Sequence, residues 1–440
     1  MKYLSIFLAA TAAFLAAPSV AQEANPAIVE TSEQSALELR AEQVIAVLNG
    51  ETDLQEIFTE GFLTAVPPAQ LEALSTQITQ QFGQAVSVES VDPPTGTRAA
   101  FAIRMERAIA RGGIAIDASD GNRISELLFQ NFEIISDTPE KIEADLSALP
   151  GETSWWFGRL DGERAIMAHR QNDQMAIGST FKLYVLAALA REVALGKRNW
   201  QDVVTLGEPR SFPSGMMQDW PEDAAVTLET LASLMVSVSD NTATDALIDL
   251  LGRQAIMQAM IDSGHRGVAL NDPFLKTREL FLLKGGPKER MQAYQVGDSD
   301  ERSQILAQLE DIAVEQAQIQ SAFSAGPIAI DVEWFASADD LANLFRFMRE
   351  TADPRAFEIM AINTSTTPTA RANWKYVGYK GGSEPGVLNL TYLLKRELGA
   401  HYALVLSWNN PDANLDETAL ELIAQRILSL PVDVPVPAAP

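Results

Sequence analysis

The chain of 440 residues contains no cysteine and only three histidines. Without cysteine it has no disulfide, no thiol nucleophile, no thiolate metal site and no cysteine for lipid attachment. His169, His265 and His401 are widely separated and lack the spacing of a metal-binding motif. A Ser-His-Asp hydrolase stays open, but no Gly-x-Ser-x-Gly elbow supports one. We therefore expect neither a metal nor an organic cofactor.

Basic residues are also scarce in this sequence. Lys and Arg number 33 against 59 Asp and Glu, which gives a formal net charge of −26. Nucleic acids and anionic membranes repel a surface of this charge, so neither is expected as a partner. The apolar fraction of 47% and the charged fraction of 21% are ordinary for a globular protein. The length allows two or three domains.

Long hydrophobic runs are absent beyond residues 1–21, which have the plan of a secretory signal peptide. Lys2 supplies the positive start, Leu4–Ala17 the apolar region, and Ser19–Ala21 the small residues of a cleavage site. The alternative is an N-terminal membrane anchor, but the apolar region is short for a bilayer span. We therefore expect a periplasmic or secreted protein without a membrane span once the signal is removed.

Residues 35–137 change from helical to strand-like spacing and indicate a small α+β domain. Helices are predicted at Ser35–Leu48, at Asp53–Phe62 and from Pro67 to Phe82, and strands between Ala85 and Ile135. The domain resembles the cone-shaped domains related to ketosteroid isomerase and nuclear transport factors. Because it shows no convergent acid/base pair, we interpret it as a packing or binding appendage and not as an independent enzyme.

Ser179 and Lys182 stand three positions apart at the start of an apolar segment, Leu183–Ala190. The segment is rich in Ala and Leu, without Gly or Pro, which favours a buried helix. Positions i and i+3 share a helix face, so the Lys182 amine can reach the Ser179 hydroxyl. A desolvated lysine can act as the base that activates a serine nucleophile. The pattern is common by chance and gains meaning only together with other motifs.

Two further motifs accompany it. Ser239-Asp240-Asn241 directly follows a predicted apolar helix, Thr227–Val238. An N-cap explains one polar residue at a helix start but not three in succession. Near the C-terminus the predicted strand Tyr376–Tyr379 is followed by Lys380-Gly381-Gly382-Ser383. Glycine there lets a ligand approach the backbone, and a simple hairpin turn is the alternative interpretation.

The remaining pattern between residues 141 and 430 predicts an antiparallel sheet with helices. A hairpin is expected at residues 154–168, strands at Val387–Leu394 and His401–Trp408, and a terminal helix from about Leu415 to Leu430. The three motifs, in this order, resemble those of class A β-lactamases and penicillin-binding proteins. The resemblance implies a β-lactamase/transpeptidase-like α/β sandwich, with a five-stranded antiparallel sheet, a helical lobe and the site between them.

The resemblance also implies roles for individual residues. Ser179 would be the acylated nucleophile, Lys182 its proton acceptor, and Ser239 the group that passes a proton to the leaving nitrogen. Backbone N–H groups of Ser179 and Ser383 would form the oxyanion hole. Asn241 would hold the substrate amide and Lys380 the substrate carboxylate. Gly382 and Ser383 would also bind substrate.

The sequence departs from the family pattern in two places. Gly381 occupies the position where the third motif normally has a hydroxyl residue, so one hydrogen bond to the substrate carboxylate is missing unless Ser383 replaces it. Glu279 is the candidate for the loop glutamate that activates the deacylating water. The family's asparagine four residues further on is Leu283 here, and a salt-bridged loop carboxylate is the alternative. Residues 294–325 look like an insertion with a helical stretch at Ile305–Ile319, and residues 431–440 look like a Pro-rich tail.

We therefore expect an exported serine hydrolase acting on small-molecule β-lactams through a Ser179 acyl-enzyme, with weak turnover. An esterase or peptidoglycan DD-peptidase on the same site is the alternative among enzymes. From another class, a penicillin-binding or cell-wall-binding module with little catalysis uses the same residues. The predicted domains are 35–137 for the small α+β domain and 141–430 for the hydrolase-like domain.

Overall fold

The computed structural model describes residues 35–134, 137–162, 165–310, 312, 316–324 and 326–432. The predicted signal peptide lies outside them, as do residues 163–164 of the predicted hairpin and 433–440 of the predicted tail. The chain divides into two compact units between Asp137 and Thr138, and each is described here by itself. Within the described residues, no helix combines the length and the apolar character needed to cross a membrane.

The first unit has four helices followed by an antiparallel meander of four strands in the order β1-β2-β3-β4. Its helices are α1 (Ala36–Leu48), α2 (Leu54–Ile57), α3 (Glu60–Ala65) and α4 (Pro68–Phe82). Its strands are β1 (Ala85–Asp92), β2 (Arg98–Met105), β3 (Ala108–Asp117) and β4 (Arg123–Ile134). The apolar faces of helices and strands enclose one common core.

One predicted helix of this unit, Asp53–Phe62, is wrong. The chain forms α2 and α3 instead, because Phe58 leaves helical geometry and forms a parallel bridge with Ile124. Burying the Phe58 ring completely is worth more than one continued helical turn. Thr59 then caps α3. The resemblance to cone-shaped domains stays a prediction.

The second unit is built on a five-stranded antiparallel sheet in the order β11-β12-β13-β5-β6, which confirms the sheet that the family resemblance implies. These strands are β5 (Glu152–Arg159), β6 (Ala165–His169), β11 (Tyr376–Glu384), β12 (Val387–Lys395) and β13 (His401–Asn409). Two short pairs lie outside it: β7 (Met175–Ala176) with β10 (Phe335–Ala336), and β8 (Val203–Thr205) with β9 (Ala225–Thr227).

Helices cover both faces of this sheet. Alternate side chains of β13 belong to two separate apolar cores: Ala403 and Val405 pack in the core of the larger helical lobe, and Leu404 and Leu406 pack with α5 and α17. The helices are α5 (Pro139–Ser147), α6 (Lys182–Ala194), α7 (Leu228–Ser237), α8 (Asn241–Leu251), α9 (Arg253–Asp262), α10 (Thr277–Lys284), α11 (Lys288–Val296), α12 (Ser299–Ala307), α13 (Gln316–Phe323), α14 (Ala338–Thr351), α15 (Arg355–Met360), α16 (Pro368–Arg371) and α17 (Glu417–Leu428).

Two boundaries in the second unit differ from the prediction. The strand predicted to end at Tyr379 continues to Glu384, so the Lys-Gly-Gly segment lies inside β11 and the turn comes at Pro385–Gly386. The stretch predicted as helical at residues 305–319 is occupied by the end of α12 and the start of α13. Both corrections concern glycine or polar segments, in which a local pattern specifies structure weakly.

Candidate active site

A cavity of about 380 Å³ opens beside the N-terminal end of α6. This volume is within the usual range for sites that hold small molecules. It is lined from the Ser179 turn, from the α7–α8 junction, from α10 and from β11. Six of the predicted catalytic and substrate-binding residues line it: Ser179, Ser239, Asn241, Lys380, Gly382 and Ser383.

Ser179 lies in a short 3-10 helix, Gly178–Phe181, which runs directly into α6. Two contacts hold this turn: the Ile177 N–H donates to the carbonyl of Trp334 at 3.0 Å, and the Phe181 ring stacks on Trp334 at 3.7 Å. Ser179 itself is half-buried and lines the cavity. In the described part of the chain its hydroxyl has no hydrogen bond to another side chain, which leaves it available to a ligand.

Strand β11 packs directly against the Ser179 turn at Gly382. A Cβ atom on Gly382 would lie 2.5 Å from the backbone N of Ser179 and 2.6 Å from that of Thr180. On the other side of the contact, a Cβ on Gly178 would meet the backbone N of Ser383 at 3.1 Å. Both positions need glycine, because the two backbones approach each other here without room for a side chain.

Lys182 is completely buried at the start of α6. Its ammonium group has three acceptors: the Ser239 carbonyl at 2.7 Å, the Ser239 Oγ at 3.0 Å and the Asn241 Oδ1 at 2.7 Å. Burial lowers the pKa of Lys182 well below its usual value, and the nearby charge of Lys380 lowers it further. Asp245 and Asp240 oppose this shift. The hydrogen bonds fix the side chain in place, and the lowered pKa means that its ammonium group loses a proton more easily.

Ser239 lies between two lysines. Its Oγ is 3.0 Å from Lys182 Nζ and 3.1 Å from Lys380 Nζ. Burial lowers the pKa of Lys380 to about 7. A neutral lysine amine has a lone pair, so the Ser239 hydroxyl can donate to one amine while it accepts from the other. The three groups form a continuous path along which a proton can move.

The backbone of Ser239 is in the left-handed region, with a φ of 59°. A non-glycine residue there costs about 1–2 kcal/mol, so surrounding contacts must hold it. Asp240 supplies them: its carboxylate caps Ala243 of α8 and accepts from the backbone N–H groups of Met216 and Met217. The Asn241 amide donates to the carbonyl of Phe212 at 3.1 Å. The Ser-Asp-Asn tripeptide thus combines a helix cap with two side chains at the cavity.

Glu279 does not line the cavity. It lies in the first turn of α10, where one carboxylate oxygen accepts from Arg253 at 2.5 Å and the other from the Lys276 backbone N–H at 2.8 Å. Both oxygens thus have partners, and the residue lies outside the lining of the cavity to which Ser179 belongs. This geometry matches the salt-bridged alternative that the sequence left open.

Three other ionisable residues, which the sequence analysis did not single out, meet at the cavity wall. Lys284 at the end of α10 contacts Glu384 at the end of β11, and its Nζ is 3.5 Å from Glu333. Glu333 and Glu384 both line the cavity. None of the three belongs to a recognisable motif, and they meet only because three distant segments converge. Local sequence patterns carry no signal for such a cluster.

None of the three histidines lines this cavity. His265 is buried 2.8 Å from the Tyr184 hydroxyl, and burial lowers its pKa. His169 stacks on Trp155, and His401 lies at the start of β13. Among the described residues no group of His, Asp and Glu has the arrangement of a metal site. Histidine is therefore not among the candidate proton acceptors that line this cavity.

Comparisons with known proteins give one family. A family model described as the beta-lactamase enzyme family matches residues 138–430. Beta-lactamase AST-1 from Nocardia asteroides is 25% identical over 154 residues, which are 35% of this chain and 46% of that protein. Beta-lactamase FAR-1 from Nocardia farcinica is 29% identical over 99 residues, 22% of this chain and 32% of that protein. The matches span less than half of each relative.

Solved structures are also similar to this chain. A beta-lactamase from Sphaerobacter thermophilus is 20% identical, with a TM-score of 0.46, and covers 67% of this chain and 100% of its own. PBP-A is 18% identical, with a TM-score of 0.45, and the match covers 66% of this chain and 92% of PBP-A. A beta lactamase from Xanthomonas campestris is 15% identical, with a TM-score of 0.46, and the match covers 67% of this chain and 99% of that protein.

Proposed function

Because this chain belongs to the beta-lactamase enzyme family, we propose that its second unit is a serine hydrolase that opens β-lactams through an acyl-enzyme at Ser179. The observation that carries the proposal is the hydrogen-bonded path from Lys182 through Ser239 to Lys380 at the cavity that Ser179 lines. In this proposal Ser179 is the nucleophile, Lys182, whose pKa burial lowers, is the base, and Lys380 is the cation for an anionic substrate.

In the proposed acylation, neutral Lys182 takes the proton of the Ser179 hydroxyl. The Ser179 oxygen bonds to the lactam carbonyl carbon, and backbone N–H groups of Ser179 and Ser383 stabilise the oxyanion. The intermediate collapses when the carbon–nitrogen bond breaks. Ser239 donates its proton to that nitrogen and regains one from Lys182, whose Nζ is 3.0 Å away. The path returns Lys182 to its neutral form.

Lys380 would hold the carboxylate of the substrate, and Asn241 its amide. The cavity wall at Gly381 lacks a hydroxyl, and a side chain there would meet the Tyr379 ring and hydroxyl. Ser383, which is exposed and lines the cavity, is the proposed replacement for that donor. Removing one well-placed donor typically costs about 10²–10³ in rate, so the grip on the carboxylate is expected to be loose.

Turnover is proposed to be weak. Acylation requires Ser179, Lys182 and an oxyanion hole, whereas deacylation also requires a positioned water. Glu279, the residue that the family resemblance nominates for that task, is held by Arg253 outside the cavity. We therefore expect a long-lived acyl-enzyme and cephalosporin turnover below roughly 10 s⁻¹, the median for enzymes. Small esters, whose leaving groups need less help, are expected to react better.

The same hydrogen-bonded path also supports a second candidate function, a penicillin-recognising module that becomes acylated and loses its acyl group slowly. It shares every group of the acylation step and differs only in the rate of hydrolysis. On the signal-like N-terminal sequence we further propose a periplasmic or secreted location, and on the absence of an acid/base pair a packing or binding role for the first unit.

Labelling with a fluorescent penicillin tests the proposal. Wild-type protein is expected to carry the label after denaturing electrophoresis, and Ser179→Ala is expected to carry none. A neutral fluorophosphonate serves as a second probe that does not depend on Lys380. Equal labelling of the alanine variant by both probes would exclude Ser179 as the nucleophile and with it the proposed function.

A further inference from the structure

Lys284, Glu333 and Glu384 form a buried cluster at the cavity, hereafter the Lys-Glu-Glu cluster. The exposed fractions of the three side chains are 0%, 1% and 8%. The cluster joins three segments that are remote in sequence: the end of α10, the residue before Trp334, and the end of β11. Among its members Lys284 does not line the cavity, whereas both glutamates do.

Glu333 lies next to the Ser179 turn. The Ile177 N–H donates to the Trp334 carbonyl at 3.0 Å, and this bond continues the antiparallel pairing of β7 with β10. Glu333 precedes Trp334, and Ser179 follows Ile177 by two residues, so both leave the same end of that pairing. The stacking of Phe181 on Trp334 fixes the two segments together from the other side. These contacts therefore place Glu333 beside the Ser179 turn.

The charges of the cluster do not balance. Two carboxylates share one ammonium group, and burying an unpaired charge is costly, so one carboxyl group holds a proton more tightly than usual. Burial and the neighbouring Glu384 raise the pKa of Glu333, and Lys284 and the Trp334 N–H, 3.0 Å from Glu333 Oε2, oppose the rise. Glu333 can therefore exchange a proton near neutral pH.

We propose that Glu333 is the general base that activates water for hydrolysis of the Ser179 acyl-enzyme, and that Lys284 and Glu384 position it. The inference deepens the proposed function and rests on it. Glu333 occupies the cavity wall beside Ser179, whereas Glu279 is held elsewhere by Arg253. Glu333 directly precedes Trp334 in the sequence and belongs to no recognisable motif.

In this step the Glu333 carboxylate takes one proton from a water molecule, and the water oxygen bonds to the ester carbon of acylated Ser179. The intermediate collapses when the bond from that carbon to Ser179 Oγ breaks. The proton on Glu333 is delivered to Ser179 Oγ, and the product leaves as a carboxylic acid carrying the second hydrogen of the water. Both residues return to their starting states.

The pH dependence follows from the direction of the shift. The base form of Glu333 is its carboxylate, and the raised pKa leaves that form in the minority at lower pH. Deacylation is therefore slow in mildly acidic solution and accelerates as the pH rises through the raised pKa of Glu333. The groups that face Glu333 are Lys284 from α10, Glu384 from β11 and the Trp334 N–H. This gives a physical reason for weak turnover at neutral pH.

The test is a matched pair of variants, Glu333→Gln and Glu279→Gln. Each is acylated with benzylpenicillin, freed of excess reagent and followed by intact-protein mass, so that acylation and deacylation are timed separately. Glu333→Gln is expected to acylate within about threefold of wild type and to deacylate at least about 10²-fold more slowly, the usual loss for a general base. Glu279→Gln is expected to leave the deacylation rate within about threefold of wild type.

The outcomes separate the two proposals. If wild-type protein is never acylated at Ser179, the proposed function fails. If it is acylated and Glu333→Gln deacylates at the wild-type rate, or Glu279→Gln alone accumulates the adduct, only the assignment of Glu333 is overturned. Should Glu333→Gln not fold, the deacylation rate of the wild-type protein is measured instead, at pH values from about 5.5 to about 9. A rate that rises with pH to a plateau supports the assignment, and a flat profile contradicts it.

Discussion

Gly382→Ala is the sharpest structural perturbation that the site offers, because it tests the contact between β11 and the Ser179 turn alone. The added Cβ would lie 2.5 Å from the Ser179 N and 2.6 Å from the Thr180 N, and closer still to the Ile177 carbonyl oxygen. Ordinary carbon–oxygen contacts are about 3.3–3.6 Å. All three obstacles are backbone atoms, so no side chain can rotate away.

Strand β11 must therefore recede from the nucleophile by about 1 Å, which is the difference between these distances and ordinary contacts. A displacement of this size at a reacting centre costs about 10²-fold in rate. Overpacking in a tight contact costs about 1–3 kcal/mol of stability, so the variant is still expected to fold. We expect acylation by a fluorescent penicillin to slow about 10²-fold while the melting temperature falls by a few degrees.

Gly207→Ala is the matched control. No atom lies within 4 Å of a Cβ at that position, and its φ is not positive. It should acylate at the wild-type rate and melt at the wild-type temperature. The reasoning would be refuted if Gly382→Ala, folded by circular dichroism, were acylated within about twofold of wild type.

Three other predictions follow from the same geometry. Lys182→Ala should slow acylation by 10²–10⁴, the usual contribution of a general base, whereas alanine at each of the three histidines should leave it nearly intact; loss with one histidine variant would favour a triad. Ser239→Ala should slow the opening of a β-lactam far more than acylation by a nitrophenyl ester, whose leaving group needs no proton; equal losses would contradict the relay. Because burial lowers the pKa of Lys380 to about 7, its charge is lost above that pH. KM for an anionic penicillin should therefore rise above pH 7 while KM for a neutral ester does not, as steady-state kinetics at several pH values would check.

The sequence predicts the parts of this molecule that repeat a local period. Apolar patterns predicted the buried helix after Ser179 and an antiparallel sheet, and the family resemblance implied that the sheet has five strands; both elements are present in the second unit. The strand containing Lys380 was predicted too short, because glycine in a sequence commonly marks a turn. Here Gly382 marks instead a place where two backbones touch, which depends on the Ser179 turn about two hundred residues earlier and not on neighbours in sequence.

Local sequence could not show which glutamates line the cavity, for the same reason. The partner of Glu279 is Arg253, on α9, and nothing near Glu279 in sequence announces that ion pair. Glu333 has no motif around it and becomes visible only when α10, β10 and β11 are seen to converge. The left-handed backbone of Ser239 is a further feature that its sequence does not reveal, because capping by Asp240 and the contacts of the cavity hold it.

The central claim is that Ser179, and no other group, forms the covalent bond to the substrate. Peptide mapping after incubation with benzylpenicillin tests it most directly, since trypsin cleavage after Arg170 and Lys182 isolates a single peptide containing Ser179 and Thr180. The account predicts that this peptide alone gains the full mass of the penicillin and that fragmentation places the adduct on Ser179. An adduct on Thr180 or on any other peptide, or no adduct after prolonged incubation, would contradict it.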